Sequence, residues 1–496
     1  MSFDLVLFGG TGDLTWRKLM PALFQAWRHG KLPADGRILA VARDDKNDAG
    51  YRAWLHERLQ AADSAKRPSD EEFAHFAQRV HYLRMDLSQP ADYARLSQWL
   101  GSRDGGPPGG QAADTVVMYL ATSPHLFPMI CEQLGASGLN GERVRVVLEK
   151  PLGHDLASAQ AINRAVAAVF TERQALRIDH YLGKPSVQNL MALRFGNALF
   201  EPLWRRESIA NIQITLAECL GVGTRGDFYD RTGALRDMVQ NHALQLLTMV
   251  AMEPPSSADA DAIRDEKLKV LRSLKPFDAA SVARDVVRGQ YRAGTVMGAA
   301  VAGYLDEDKV PAGSQTETFV ALRCEVQNWR WAGVPFYLRT GKRMGRYHAE
   351  IVVSFRPTPH TIFPGTQQAN QLVIRLQPED GLELRLMAAQ GGLNAAGAGA
   401  VQEALTPVSL DLDFHKAFAS ERVGAYERML LDALAGRLNL FVRSDEQEQA
   451  WRWVEPILQA WREDPTGPRP YAAGTWGPAA ASALVARDGF AWAEEA

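Results

Sequence analysis

A short apolar run, Leu5 to Phe8, ends in Gly9-Gly10-Thr11-Gly12-Asp13-Leu14, and a helical pattern, Leu14 to Arg28, starts on the last of these residues. A strand that passes through glycines straight into a helix opens a βαβ unit. Further apolar runs follow at Ile38–Ala42, Val116–Leu120 and Val144–Leu148, with helix-like segments between them. The first 175 residues therefore predict a parallel sheet with right-handed crossovers. Glycines at such a junction let the backbone approach an anion, and the helix N-terminus adds N–H donors and a positive dipole. The spacing is Gly9-x-x-Gly12 and not the full GxGxxG. The cluster reads either as a tight structural turn or as a pyrophosphate cradle, and its strand-before, helix-after setting favours the cradle.

The second run ends in Arg43-Asp44-Asp45. The end of the second strand is where an adenosine ribose lies in such sheets. Arg43 suits a 2′-phosphate and so NADP, Asp44 suits a free 2′-hydroxyl and so NAD, and a solvated charge run is the alternative. With both residues adjacent, the expectation is NADP with secondary use of NAD. Gly101 to Gly110 (GSRDGGPPGG) reads as a surface loop.

The pattern changes after residue 176. Ile212, Ile214 and Leu216 alternate with polar residues, as in a half-buried strand. Leu382, Leu384 and Leu386 do the same. Thr318–Val326, Phe336–Leu338, Ile351–Phe355 and Leu372–Leu376 add strands, and helical patterns occupy about 229–252 and 417–461. Few helices intervene, so antiparallel pairing is expected. The chain of 496 residues exceeds one ordinary core. It divides into a Rossmann-like dinucleotide-binding domain (α/β, residues 1–175) and a larger α+β domain on a mostly antiparallel sheet (176–496).

Composition excludes several classes. A formal charge of −3 lacks the basic excess of a nucleic-acid binder. Cys131, Cys219 and Cys324 are far apart with no CxxC spacing, which indicates neither a disulfide framework nor a metal site. No window approaches the roughly 18 apolar residues that span a bilayer, and Met1-Ser2-Phe3-Asp4 lacks the basic start of a signal peptide. A cytoplasmic protein without metal, nucleic-acid or membrane partners is expected.

Polar residues collect at strand ends. Arg177-Ile178-Asp179-His180-Tyr181-Leu182-Gly183-Lys184 closes the strand-like Leu176–Ile178, and Pro185 follows where a helix would begin. Its cations suit a phosphate or another anion; a charged turn is the alternative. Glu149-Lys150-Pro151 puts Lys150 at the carboxyl end of a parallel strand, where such sheets bind ligands. Glu218 continues the face of Ile212, Ile214 and Leu216, pointing toward a cavity or lying just past the sheet edge. Asp237 and His242 fall in the run Gly233–Met252, where His242 shares a stripe with Met238 and Leu246. Such a histidine is either a satisfied core residue or a desolvated general base oriented by a carboxylate, for which Asp179 is available. Lys342 ends another strand in Arg339-Thr340-Gly341-Lys342.

In this order, these pieces resemble the glucose-6-phosphate dehydrogenase family, from Gly9 nearly to the C-terminus. The resemblance also includes Arg17-Lys18-Leu19, Tyr119-Leu120-Ala121, Asp237-x-x-x-Asn241-His242 and Tyr471-x-Ala473-Gly474-Thr475-Trp476-Gly477-Pro478. It implies the oxidation of glucose 6-phosphate to 6-phosphogluconolactone by a homodimer or homotetramer. His242 would be the general base and Asp179 its orienting carboxylate. His180, Tyr181 and Lys184 would bind the sugar phosphate, Glu218 and Asp237 sugar hydroxyls, and Lys342 would add charge nearby. Lys150 would bridge coenzyme and substrate, and Gly9, Gly12, Asp13, Leu14, Arg43 and Tyr119 would hold the coenzyme. Departures are Tyr347, where the family usually has a second basic residue, and Trp16, where a basic residue is common. A dehydrogenase of another sugar phosphate and a non-catalytic NADP sensor are the competing readings.

Overall fold

Successive side chains of the first strand enter different cores, Leu5 and Leu7 one, Val6 and Phe8 the other. A strand buried on both faces is the reason for its unbroken apolar run. The computed structural model describes residues 2–61, 67–102, 113–364, 368–389, 405–417 and 423–493. The chain forms two compact units. One is Met1–Gly183 with Pro255–Asp265 and Val423–Glu448; the other is Lys184–Pro254, Glu266–Arg422 and Gln449–Ala496.

In the first unit β1 (Phe3–Phe8), β2 (Gly36–Ala42), β3 (Val80–Arg84), β4 (Thr115–Leu120), β5 (Val144–Leu148) and β6 (Ala175–Ile178) form a sheet in the order β3-β2-β1-β4-β5-β6. All of these pairings are parallel. Strand order reverses beside β1, so the glycine loop that leaves it opens at the topological switch point. The expected helix over 14–28 is a π-helical turn, Thr15–Leu19, followed by an α-helix, Met20–Arg28. Pro21 lacks the N–H that an α-helical bond to Arg17 requires. The Gly101–Gly110 loop lies almost wholly outside the described residues; Gly101 is the last residue of the helix Pro90–Gly101.

The second unit is built on β7 (Ile209–Ala217), β8 (Val286–Arg292), the hairpin β9 (Gly294–Val296) and β10 (Ala299–Val301), β11 (Phe319–Glu325), β12 (Pro335–Gly341), β13 (His348–Phe355), β14 (Gln371–Gln377), β15 (Gly381–Ala389) and β16 (Leu405–Asp413). The chain then returns to the first unit, where β17 (Phe441–Val442) pairs antiparallel with β6, before β18 (Arg469–Ala472) completes the second sheet. Among the described residues that sheet has nine strands in the order β16-β15-β14-β13-β7-β12-β11-β8-β18. It is mostly antiparallel, with β7–β12 and β8–β18 parallel.

Three local expectations are corrected. β7 is buried on both faces, because Gln213 bonds Asn211 and the Ala491 carbonyl and so satisfies its amide inside. The 417–461 pattern is two helices, Ala425–Ala435 and Ser444–Glu463, because Gly436 turns left-handed at φ 71° and β17 intervenes. The 229–252 pattern breaks at Gly233, also left-handed at φ 72°, and resumes as a π-helix over Leu235–Ala243 and an α-helix over Leu244–Ala251. Among the described residues no helix is long and apolar enough to cross a membrane.

Candidate active site

The glycine loop is braced from behind. Gly9 and Gly10 donate their N–H groups to the Val41 carbonyl at 3.0 and 2.9 Å. Their own carbonyls are held by Thr15 Oγ1 at 2.9 Å and Tyr51 Oη at 2.7 Å. Gly9 has φ 86°, and a Cβ there would lie 2.5 Å from the Ala121 carbonyl; one at Gly10 would meet Ala40 at 2.6 Å. These two glycines are required by the fold. Gly12 is different: a Cβ there would meet only the Gly9 and Ala121 carbonyls, at 3.1 and 3.9 Å. The first helical bond runs from Trp16 N–H to the Gly12 carbonyl. Asp13, Leu14 and Thr15 thus carry N–H groups that precede the first donor of the helix, Trp16. Rear bracing with forward donors at a switch point fits the pyrophosphate of a dinucleotide.

Around this loop, Thr11 Oγ1 donates to Asp44 Oδ2 at 2.6 Å, and Arg43 is exposed. Trp16 donates from Nε1 to Asp13 and lies under the guanidinium groups of Arg17 and Arg58. Tyr119 is interior to β4, and its hydroxyl donates to Glu149 Oε1 at 2.5 Å. Burial pushes the Glu149 carboxyl up to about 7, against the opposing pull of the Tyr119 bond and Lys150. The Lys150–Pro151 peptide bond is cis.

The 177–184 segment distributes its side chains by backbone turn. The Asp179 Oδ1 accepts from Tyr181 N–H at 3.0 Å, and the Asp179 carbonyl from Leu182 N–H at 3.1 Å. The His180 ring stacks on Tyr426 with centroids 5.8 Å apart and planes at 12°. Gly183 is needed because a Cβ there would sit 2.8 Å from the Ala425 carbonyl. Lys184 is the N-cap of the helix Pro185–Phe195 and is buried. Desolvation lowers its ammonium to about 8, and Asp380 opposes that shift.

In the second unit, Glu218 follows β7 and Lys342 follows the adjacent β12; Lys342 Nζ meets Glu218 Oε2 at 2.7 Å. The ammonium also lies 4.9 Å from the centre of the Tyr229 ring. Burial raises the Tyr229 phenol, with Asp237 as its strongest charged neighbour. Asp237 and His242 share the π-helix that starts after Gly233. The Glu317 carboxylate caps this helix by accepting Leu235 N–H at 3.0 Å, and a Cβ on Gly233 would lie 2.3 Å from Glu317 Oε1. Burial raises Glu317 as well. The His242 side chain is buried, the residue being 1% exposed, and its backbone N–H donates to Asn241 Oδ1 at 2.6 Å. Tyr347 is partly exposed, while the guanidinium of Arg346 lies over Trp476 at 5.3 Å. Sequence reasoning missed Glu317 and Tyr229. Glu317 ends a polar Ser314–Glu317 stretch that carries no motif, and Tyr229 is an ordinary helical aromatic until its partners are known.

The NAD binding domain of glucose-6-phosphate dehydrogenase matches residues 6–189, and its C-terminal domain matches residues 191–493. The chain belongs to the glucose-6-phosphate dehydrogenase family. It is 49% identical to the glucose-6-phosphate 1-dehydrogenase of Mycolicibacterium smegmatis, over 99% of this chain and 97% of the relative. It is 47% identical to that of Rhizobium meliloti, over 99% and 97%. Among solved structures, a glucose-6-phosphate dehydrogenase in complex with its substrate glucose-6-phosphate aligns with a TM-score of 0.88 at 32% identity, covering 99% of this chain and 98% of that one. Within this chain, the Glu218–Lys342 pair and the Tyr119–Glu149 pair join residues of the expected site to one another or to a neighbour, whereas Arg43 stands exposed.

Proposed function

We propose that the protein oxidises D-glucose 6-phosphate at C1 to 6-phospho-D-glucono-1,5-lactone with NADP+ as acceptor. This is the first step of the oxidative pentose phosphate pathway, run in the cytoplasm by a homodimer or homotetramer. Residues 1–175 serve the coenzyme; residues 176–496 serve the sugar and self-association. The observation that carries the reading is His242, an imidazole 1% exposed on a capped π-helix, in a chain that covers 97% of its Mycolicibacterium smegmatis relative.

His242 takes the proton of the C1 hydroxyl, and Asp179 fixes the ring and stabilises the imidazolium. When bound, the dinucleotide supplies the acceptor for the C1 hydride. Gly9 to Leu14 hold its pyrophosphate, Arg43 its 2′-phosphate, and Tyr119 and Lys150 the remainder. His180, Tyr181 and Lys184 bind the phosphate dianion, with Lys150 and Lys342 adding charge. Glu218 and Asp237 accept from sugar hydroxyls, which fixes C1 against the base.

The test is reduction of NADP+ by pure protein with glucose 6-phosphate. The expected result is turnover with this sugar well above that with other hexose phosphates. Turnover confined to another sugar phosphate, or none with any, would overturn the proposal.

A further inference from the structure

Directly after Lys342 the chain turns on a residue that resists the turn. Arg343 has φ 52°; among the described residues the other non-glycine positions with positive φ are Met297 and Lys309, both exposed. Glycine takes this conformation freely and a residue with a Cβ does not. A turn alone would be better served by glycine, so the arginine is there for its side chain. Backbone bonds tie the turn to the loop that carries Glu218. Arg343 N–H donates to the Leu220 carbonyl at 3.2 Å and Met344 N–H to the Glu218 carbonyl at 2.9 Å, while the Arg343 carbonyl accepts Gly474 N–H at 2.8 Å. The side chain adds a second tie. Its Nη2 donates to Glu307 Oε1 at 3.2 Å, and the same oxygen accepts the Tyr291 hydroxyl at 2.9 Å. A Cβ on Gly221 would lie 2.3 Å from Glu307 Oε1 and 2.6 Å from Arg343 Nε, so the loop after Glu218 rests directly on this pair. Two adjacent cations therefore meet two different acids, Lys342 with Glu218 and Arg343 with Glu307.

We infer that Arg343 is a positioning residue of the sugar site, acting through Lys342 and Glu218. The inference rests on the assignment of those two residues to the sugar in the function proposed above. Locked on Glu307, the guanidinium fixes the turn of Lys342 against the loop of Glu218. It is also withheld from Glu218 as a rival cation, and Glu307 is withheld from Lys342 as a rival acid. In a partly buried cluster of two acids and two cations, loss of one member lets the others pair anew. The Lys342 ammonium and the Glu218 carboxylate would then leave the places from which they meet the sugar, and a displacement of about 1 Å at such a site costs up to about a hundredfold in rate.

The experiment is steady-state kinetics with glucose 6-phosphate on Arg343→Gly, Glu307→Gln, Lys342→Met and the two double variants that add Lys342→Met to each of the first two. Thermal melts check folding, and calorimetry gives the NADP+ dissociation constant. Arg343→Gly keeps the turn, because glycine accepts a positive φ, and removes the tie. It should lower kcat/KM for the sugar about tenfold to a hundredfold and leave NADP+ binding unchanged. Glu307→Gln, which keeps the shape and loses the charge, should lower kcat/KM about threefold to tenfold. On top of Lys342→Met, either change should cost less than about twofold, because the group it positions is gone. If both variants keep the parental kcat/KM, or lose as much with Lys342→Met as without it, the tie serves the fold alone; the inference is overturned and the sugar site stands. If Lys342→Met itself changes nothing, Lys342 does not face the sugar, and both readings fall. Should Arg343→Gly melt well below the parent, Glu307→Gln decides by the same comparison.

Discussion

The two units present their candidate groups in opposite ways. In the first, the glycine loop offers backbone N–H groups from consecutive residues, and Asp13, Arg43 and Asp44 around it are exposed. In the second, the groups are side chains that are largely withdrawn from solvent and drawn from distant segments. Glu218 and Lys342 are 124 positions apart, and Leu235 meets its cap Glu317 across 82. Backbone donors serve any dinucleotide with little dependence on pH. Buried side chains carry the titrations, so the substrate side should be the sensitive one.

The largest test of that contrast is His242→Asn. Loss of a general base costs about 10²–10⁴-fold in kcat, while the dissociation constant for glucose 6-phosphate, measured by calorimetry, should hold. A near-normal kcat would make His242 a core residue and remove the contrast at its centre.

Glu149→Gln sharpens the comparison from the first unit, where a buried carboxyl sits behind the strand ends. Its folded value of about 7 lies above the ordinary 4.5. The unfolded chain therefore releases this proton first as pH rises, and the stability present below 4.5 is lost through 7. Glutamine cannot ionise. Its advantage in unfolding free energy over the parent should grow by roughly 3 kcal/mol between pH 5 and 8, as read from denaturant melts at each pH. An advantage independent of pH would show that Glu149 titrates normally.

Lys184→Ala should raise KM for glucose 6-phosphate by roughly tenfold to a hundredfold, the scale of a charged hydrogen bond, with a smaller change in kcat. In the parent, KM should climb above pH 8, because the free ammonium is lowered to about 8 and only its charged form attracts a dianion. The alanine variant should lose that climb. Equal KM in both proteins across pH 7 to 9 would remove Lys184 from the phosphate site.

The smallest expected effect separates two glycines of one loop. Gly9→Ala should lower the melting temperature, since it forces a left-handed residue against the Ala121 carbonyl at 2.5 Å. Gly12→Ala should leave the melt nearly unchanged and weaken NADP+ binding several-fold. If both substitutions act only on stability, the loop is a structural turn.

Most strands of both sheets were legible as apolar or alternating runs, and the site residues as polar clusters at strand ends. The edge strands were not. β3 is only five residues long with two charged or basic positions, and β16 alternates Val408, Leu410 and Leu412 with polar residues but leaves these apolar side chains exposed. The helix pattern over 417–461 also misled, because amphipathic residues on either side of Gly436 share a period that the glycine interrupts. That segment returns to the first unit, where Met429, Leu430, Ala433 and Leu434 cover one face of the parallel sheet. Nothing in its own periodicity names that destination.

By itself the sequence determined the parallel sheet, the loop at its opening and the kinds of residue gathered at each strand end. These signals are local: strand, turn and helix follow one another within a few residues, and glycine conformation is a property of the position. The tertiary structure alone decided that Lys184 is desolvated, that Glu218 pairs with Lys342, that Glu317 caps the helix of His242 and that Thr11 holds Asp44. Burial and charge pairing depend on which distant segments share a space, and a linear pattern does not carry that information.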